Sequence, residues 1–184
     1  MKRKIKSQIM MLFSVSLIMT ACKKDDVKPE DSNEEELITT VQLKIKESGT
    51  NTINTFSWKD VDGVGGNPPV KQDITLSPNK SYEVEVGFLD ESKMPAKDIT
   101  DEVKEEANDH EVFFQSSSSF IAITRTDKDS KNLPLGLQSS WVTGVAASGN
   151  VKVILKHKPG TKAAGDGADK GETDIEVTFQ VEVK

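Results

Sequence analysis

Apolar and polar residues alternate strictly in three stretches of the chain. Val41, Leu43 and Ile45 are separated by polar residues, and the same period of two recurs over residues 82–88 and 175–183. Successive side chains of a β-strand point to opposite faces of the sheet, so this period is typical of strands with one buried face. Each of the three stretches is therefore predicted to be a half-buried strand.

Shorter apolar runs between turn residues predict further strands, at residues 53–58, 72–76, 111–114, 119–124 and 151–155. Glycine, proline, asparagine and serine separate these runs, as expected of turns. The turn at residues 49–51 predicts a hairpin between the first two strands. Pro134 and three glycines interrupt residues 133–149, where the pattern assigns no element, and residues 158–171 are predicted to be a long loop.

The period changes once, in the stretch that begins at Asp98. Ile99, Val103 and Ala107 lie four residues apart among charged residues, which predicts a short amphipathic helix lying on the sheet edge. Asp98 or Thr100 is the expected N-cap, since both side chains can accept a hydrogen bond from the first free backbone amides.

About eight or nine short strands and a single helix indicate an all-β domain. Frequent turns between short strands are typical of an antiparallel β-sandwich of Ig-like or Greek-key topology, with an open barrel as the alternative. The chain contains no convincing internal repeat. We therefore predict a β-sandwich domain over residues 37–184 with one short helix.

The N-terminus carries a different pattern. Four basic residues precede an apolar run over residues 9–18, which Ala21 and Cys22 close. The run is shorter than the ~20 residues that span a bilayer, so residues 1–21 are interpreted as a cleaved signal peptide. Its end resembles the lipobox of bacterial lipoproteins, which implies that Cys22 is lipidated and becomes the mature N-terminus. An ordinary secretory signal is the alternative.

Residues 22–36 are polar and charged without an apolar period, so they are predicted to form a disordered tether behind the lipidated cysteine. Within this tether Lys24, Asp25 and Asp26 resemble the lysine-plus-acids tag that sends lipoproteins of the Bacteroidota to the cell surface. The resemblance implies a lipid-anchored outer-membrane protein that faces outward. The periplasmic face is the alternative.

Charge and cysteine content narrow the classes of partner. The formal net charge is −6, and removal of the basic signal leaves 30 acidic against 20 basic residues. Such a surface repels polyphosphates, so nucleic-acid binding is not expected. Cys22 is the single cysteine, so no disulfide can form within the chain, and the 163 residues after the signal are expected to form a core without covalent staples.

The two histidines lie at the ends of predicted strands. His110 precedes one strand and His157 follows another. If these strands pair antiparallel, both imidazoles meet at one rim, with Glu106 or Glu111 near them. Two imidazoles and a carboxylate are ligands that zinc or copper accepts. Two solvated histidines at strand ends are the alternative.

Two acidic loops are candidate calcium sites. Asp60 and Asp62 before Gly63 resemble the opening of a calcium loop, in which alternating carboxylates supply oxygen ligands. Val64 replaces a third ligand and no glutamate closes the loop, so an EF-hand is excluded and an ordinary Asp-Gly turn is the alternative. The second loop gathers four acids over residues 166–174, and its alternative is a solvated loop.

Catalytic motifs are missing from the sequence. It contains no Gly-x-Ser-x-Gly elbow, no phosphate-binding glycine loop and no His-Glu-x-x-His pair. The serine run 116–119 near His110 is more typical of a linker than of a nucleophile. The chain is therefore predicted not to be an enzyme, with a small metal-dependent hydrolase as an alternative.

Four stretches, residues 33–41, 60–69, 95–103 and 171–179, resemble a group of short lipoproteins of flavobacteria and related Bacteroidota. The group is sometimes labelled a type 1 periplasmic-binding fold, which would require alternating strands and helices over roughly twice this length. Members accompany outer-membrane uptake receptors, so the resemblance implies an accessory role in nutrient or metal acquisition.

These observations predict a lipid-anchored, non-enzymatic binding or accessory domain at the outer membrane, with an uptake receptor as its expected partner. A structural or adhesion-type module for protein contact is the alternative. The sequence leaves the ligand open, and calcium, zinc and copper are the candidate cofactors.

Overall fold

The computed structural model describes residues 36–184. The predicted signal peptide, Cys22, the tag Lys24, Asp25 and Asp26 and most of the tether lie outside the described residues. Within the described part the elements follow in the order β1 (Thr40–Glu47), β2 (Ile53–Lys59), β3 (Val70–Lys71), β4 (Ile74–Leu76), β5 (Ser81–Asp90), β6 (Lys97–Asp98), α1 (Ile99–Glu105), β7 (His110–Ser116), β8 (Ile121–Arg125), β9 (Gln138–Thr143), β10 (Ala147–His157) and β11 (Glu172–Val183).

The strands form two sheets that pack as a sandwich. The first sheet has the order β3-β2-β1-β5-β9-β8, with β6 added beside β5, and the second has the order β4-β11-β10-β7. Neighbouring strands are antiparallel except β11 and β4, which are parallel. The predicted antiparallel β-sandwich with one short helix is confirmed.

The alternating residues supply the core between the sheets. In β1, Val41, Leu43 and Ile45 are at most 2 % exposed, and the apolar positions of β5 and β11 face inward in the same way. Burial of such aliphatic and aromatic side chains is the main driving force of folding. The alternation of apolar and polar residues therefore identifies the side chains that face the core between the sheets.

Strand β9 lies in the stretch where the pattern assigned no element. Its inward face consists of Ser139, Trp141 and Thr143, so two of the three buried side chains are polar and the alternation is hidden. The strand forms because it pairs with β5 on one side and with β8 on the other. Tertiary pairing thus overrides a weak local signal.

The predicted helix is present as α1, and Asp98 is its N-cap. The Asp98 carboxylate accepts a hydrogen bond from the backbone amide of Thr100 at 2.9 Å. Thr100 itself is buried, and its hydroxyl exchanges hydrogen bonds with the backbone of Phe88 in β5. This contact attaches the helix to the first sheet.

Three strand termini meet at one end of the second sheet. Strand β7 begins at His110, β10 ends at His157 and β11 begins at Glu172, and β10 pairs with both of the others. A register irregularity between Leu155 and Lys156 bends β10 just before this end.

Candidate functional site

His110 and His157 are directly opposite each other on the paired strands β7 and β10. Their imidazole rings are stacked, with centroids 4.6 Å apart and planes inclined by 11°. His110 is 0 % and His157 3 % exposed. The structure therefore brings the two predicted residues together, and it buries them rather than leaving them at an open rim.

Carboxylates lie at both edges of the His110 ring. At the Nε2 edge, Glu36 Oε1 is 3.4 Å away and Asp174 Oδ2 is 3.9 Å away. At the Nδ1 edge, the ring contacts the backbone carbonyl of Glu106 at 3.3 Å, and the Glu106 carboxylate is 3.9 Å away. His110 is thus enclosed by three acidic residues.

Two overlapping groups of residues have a suitable composition for a metal ion. The first consists of Glu106, His110 and His157, and the second of Glu36, His110 and Asp174. In each group the potential ligand atoms lie within 4.8 Å of one another. Zinc binds imidazole nitrogen and carboxylate oxygen at ~2.0–2.2 Å.

The charges of this site are mutually dependent. Burial works against the charged form of His110, but the close contact with Glu36 and the negative charges of Glu36 and Asp174 outweigh it, so the pKa of His110 is raised. The contact with His110 in turn lowers the pKa of Glu36, although burial opposes this shift. The acidic residues therefore favour a positive charge at this position.

Several buried polar atoms of the site make no hydrogen bond within residues 36–184. They include Oε2 of Glu36, Nε2 of His110 and Nδ1 of His157. Buried polar atoms in native proteins almost always have a partner, and each exception needs an explanation. These three nitrogen and oxygen atoms are therefore potential ligands for a cation.

Glu111, the other carboxylate expected near the histidines, points elsewhere. Because Glu111 follows His110 in β7, its side chain lies on the opposite face of the strand. There it pairs with Arg125 at 2.5 Å and with the buried amine of Lys158 at 2.7 Å. Both cations also lie over the ring of Phe113, each 4.7 Å from its centroid.

The carboxylates of Asp60 and Asp62 stabilise their own loop. Asp60 accepts a hydrogen bond from the amide of Gly63, and Asp62 accepts two from Asn67, at 2.9 and 2.7 Å. These two bonds lower the pKa of Asp62. One of the two bonds comes from the Asn67 side chain. This geometry is that of an Asp-Gly turn, and calcium binding by Asp60 and Asp62 stays a prediction.

The second acidic loop separates into two parts. Asp166 accepts a hydrogen bond from the amide of Ala163 at 3.0 Å and contacts Lys158 at 3.5 Å, so it closes the loop on itself. Asp174 lies beyond the loop, in β11, and turns toward His110. One member of the predicted acidic cluster thus belongs to the histidine site.

Sequence reasoning did not connect Glu36 or Asp174 with the histidines. Glu36 was assigned to the tether and Asp174 to a calcium loop. No local signal connects either residue with His110, because their proximity depends on the order of strands in the sheets. The polar run before β1 gave no reason to separate Glu36 from its neighbours.

A shallow depression of about 360 Å³ lies beside β5. Its lining combines two lysines and three acids with apolar side chains of β5 and the segment before β9, so it favours no single class of charged ligand. The depression is therefore a weaker candidate than the histidine site.

Over residues 36–184, no helix has the length and apolar character needed to cross a membrane. Comparison of the chain with protein-family models, curated proteins and solved structures gave no match.

Proposed function

We propose that this protein is a lipid-anchored, non-enzymatic accessory protein of the outer membrane that binds a divalent transition-metal ion at the site centred on His110. One observation carries the proposal: two fully buried, stacked histidines are surrounded by carboxylates, and three buried donor atoms make no hydrogen bond among the described residues.

The donor atoms favour a late first-row metal. Imidazole nitrogen together with carboxylate oxygen suits zinc and copper, whereas calcium and magnesium prefer all-oxygen sites. A buried imidazole and two or more carboxylates can also neutralise a doubly charged ion, which offsets the cost of its desolvation. Zinc(II) or copper(II) is therefore the proposed ligand, and calcium is less suited to this site.

Burial argues for binding rather than catalysis. A metal-dependent hydrolase needs an open coordination position for water and a cleft for substrate. The histidines lie close enough to carboxylates for such a mechanism, but they are 0 % and 3 % exposed. An ion held here is shielded from substrates, as suits a carrier or a structural site.

The location of the protein rests on its N-terminal sequence. The signal, Cys22 and the tag Lys24, Asp25 and Asp26 support an outer-membrane anchor with the domain facing outward. The resemblance to flavobacterial lipoproteins supports a partner among outer-membrane uptake receptors. A metal-binding domain tethered there would deliver its ion to such a receptor.

Metal analysis of the full-length mature lipoprotein in detergent tests the binding function. We expect about one zinc or copper ion per chain, and loss of that ion in His110→Asn, because His110 belongs to both possible ligand groups. Asp62→Asn, in the exposed turn, is the matched control and should retain the metal. Stoichiometric calcium that depends on Asp62, with no transition metal, would refute the proposal.

A protein-contact module is the second candidate function. Ile53, Val64 and Val70 are exposed aliphatic residues on or near β2 and β3, at one side of the first sheet. Strand β3 pairs only with Trp58 and Lys59, so the rest of the outer edge of β2 has no strand partner among the described residues. An unpaired strand edge presents backbone groups that another chain can pair with. Cross-linking on intact cells that captures the β2–β3 side, together with no metal bound, would favour this function.

A further inference from the structure

Resting on the proposed function, we infer that the ion binds at the Nε2 edge of His110, between Glu36 and Asp174. The N-terminal segment then supplies a metal ligand, and ion retention is coupled to docking of Glu36.

The Nδ1 atom of His110 is already engaged. It lies 3.3 Å from the backbone carbonyl oxygen of Glu106. A carbonyl oxygen can only accept a hydrogen bond, so Nδ1 carries the proton in this contact. Metal-binding histidines commonly donate one ring N–H to a backbone carbonyl and bind the metal through the other nitrogen. This arrangement leaves Nε2 as the metal-binding atom.

The carboxylates at the two ring edges differ in burial. The side chains of Glu36 and Asp174 are 13 % and 0 % exposed, whereas that of Glu106 is 56 % exposed. Water screens the attraction between an ion and an enclosed carboxylate less than the attraction between an ion and an exposed one. The Nε2 edge is therefore the more favourable place for a bound ion.

A second observation identifies the same edge. Nε2 of His110 and Oε2 of Glu36 are both buried and make no hydrogen bond among the described residues, and the His110 side chain is fully enclosed. Hence the Nε2 edge offers two potential metal-ligand atoms that make no hydrogen bond among the described residues. His157, stacked on the His110 ring, acts as a positioning residue that holds the ring in this orientation.

Glu36 reaches the site from the short segment just before β1. The backbone amide of Thr39 donates to Leu89 at 3.0 Å, and β1 begins one residue later. Leu37 is 59 % exposed, so Glu36 lies just before the point at which the sheet holds the backbone. Ile38 and Thr39 are buried, so the contact of Glu36 with His110 positions the chain only at residues 36 and 37.

Ion binding and docking of the Glu36 segment are coupled by thermodynamic linkage. If Glu36 is a ligand, the ion favours the docked segment and weakens the binding of any partner that pulls the segment away. By linkage, that partner lowers the affinity for the ion by the same factor. A receptor that engages the tether could thus release the metal without entering the buried site.

Zinc affinity of the full-length mature lipoprotein in detergent, measured by competition with a chelating dye, tests the ligand set. We expect Glu36→Gln and Asp174→Asn each to weaken zinc binding at least ~10-fold, since each removes an anionic ligand. Glu106→Gln is the matched control at the other ring edge and should change affinity less than ~2-fold. A loss in Glu106→Gln with wild-type affinity in Glu36→Gln would overturn the inference and leave the proposed function intact.

Hydrogen exchange of the wild-type protein tests the coupling without a variant. Zinc should slow amide exchange over residues 36–39 more than in the strands of the first sheet. Tight zinc binding with unchanged exchange at residues 36–39 would overturn the coupling. If the wild type binds neither zinc nor copper, the proposed function fails, and this inference with it.

Discussion

At the scale of single residues, His110 has the most unusual environment among the described residues. It is enclosed completely, stacked on a second histidine and bordered by three acids. The negative charges of Glu36 and Asp174 favour the protonated imidazole and help to raise the pKa of His110. A metal ion bound at His110 would compete with that proton.

The pH dependence of stability should reveal the proton-bound state in metal-free protein. The pKa of His110 is raised from 6.5, so its contribution is complete below about pH 6.5 and is lost as pH rises through the higher folded value. The pKa of Glu36 is lowered from 4.5, so its contribution is complete above about pH 4.5 and is lost as pH falls through the lower folded value. Both contributions are complete between pH 4.5 and 6.5.

Urea unfolding at a series of pH values with a chelator present measures this window. His110→Asn should lose the decline in unfolding free energy that the wild type shows above pH 6.5. Glu106→Gln should retain it, because the Glu106 carboxylate is exposed and lies at the other ring edge. An unchanged alkaline decline in His110→Asn would show that another group is responsible.

A second residue-scale feature is the buried ion pair of Lys162 and Asp129. Its atoms are 2.8 Å apart, and both side chains are at most 1 % exposed. Burial would raise the pKa of Asp129, but the hydrogen bond to Lys162 and those from backbone amides outweigh burial and lower it. The pair joins the loop before β11 to the turn between β8 and β9.

Lys162→Met should lower the free energy of unfolding by about 3–5 kcal/mol at pH 7, because it leaves the Asp129 charge buried without its partner. The double variant with Asp129→Asn should be more stable than Lys162→Met alone, since no uncompensated charge remains. Lys170→Met is the control, because the Lys170 side chain is 65 % exposed. Equal stability of wild type and Lys162→Met in urea titrations would contradict the importance of this pair.

At the scale of secondary-structure elements, β9 links the core of the first sheet to its edge strand. It pairs with β5 and with β8, and Trp141 at its centre is completely buried. The indole N–H donates to the hydroxyl of Ser139 at 2.9 Å, so the polar end of the ring is satisfied inside the protein. Without β9, strand β8 would have no partner in the sheet.

Trp141→Ala should lower the free energy of unfolding by about 3–5 kcal/mol, because it removes a large buried side chain and leaves a cavity. Val142→Ala is the adjacent control on the outer face, where the side chain is 45 % exposed, and it should cost less than about 1 kcal/mol. Thermal and urea unfolding of both variants provide the comparison. Similar losses in the two variants would show that β9 does not contribute through its inner face.

At the scale of the whole molecule, the candidate site and the point where the tether joins the domain coincide. Glu36 is four residues before the start of β1, and it contacts the site directly. An ion at this position would therefore lie beside the first described residue of the domain.

The anchor itself can be tested in cells. Cys22→Ala should move the protein from the membrane fraction to the soluble fraction, because the lipid attachment atom is lost. Replacing Lys24, Asp25 and Asp26 together by alanine should keep the protein on the membrane but protect it from protease added to intact cells. Lys28→Ala is a matched change elsewhere in the tether and should leave the protein sensitive. Protection of the wild type would contradict surface exposure.

Local sequence patterns identified most of the individual strands and the helix, but not which strands lie next to each other. Alternation at Val41, Leu43 and Ile45 identified β1, and a four-residue spacing with Asp98 before it identified α1, because side-chain direction within an element is a local property. Strand β9 was missed since its inner face carries serine and threonine, and its position depends on partners that are distant in sequence.

The set of residues that forms the candidate site depends on long-range contacts. The chain pattern placed His110 and His157 at strand ends, but their contact required β7 and β10 to be adjacent and in register. The positions of Glu36 and Asp174 beside them depend on segments from opposite ends of the domain. Long-range pairing is set by the packing of the whole core, and no local pattern of residues contains that information.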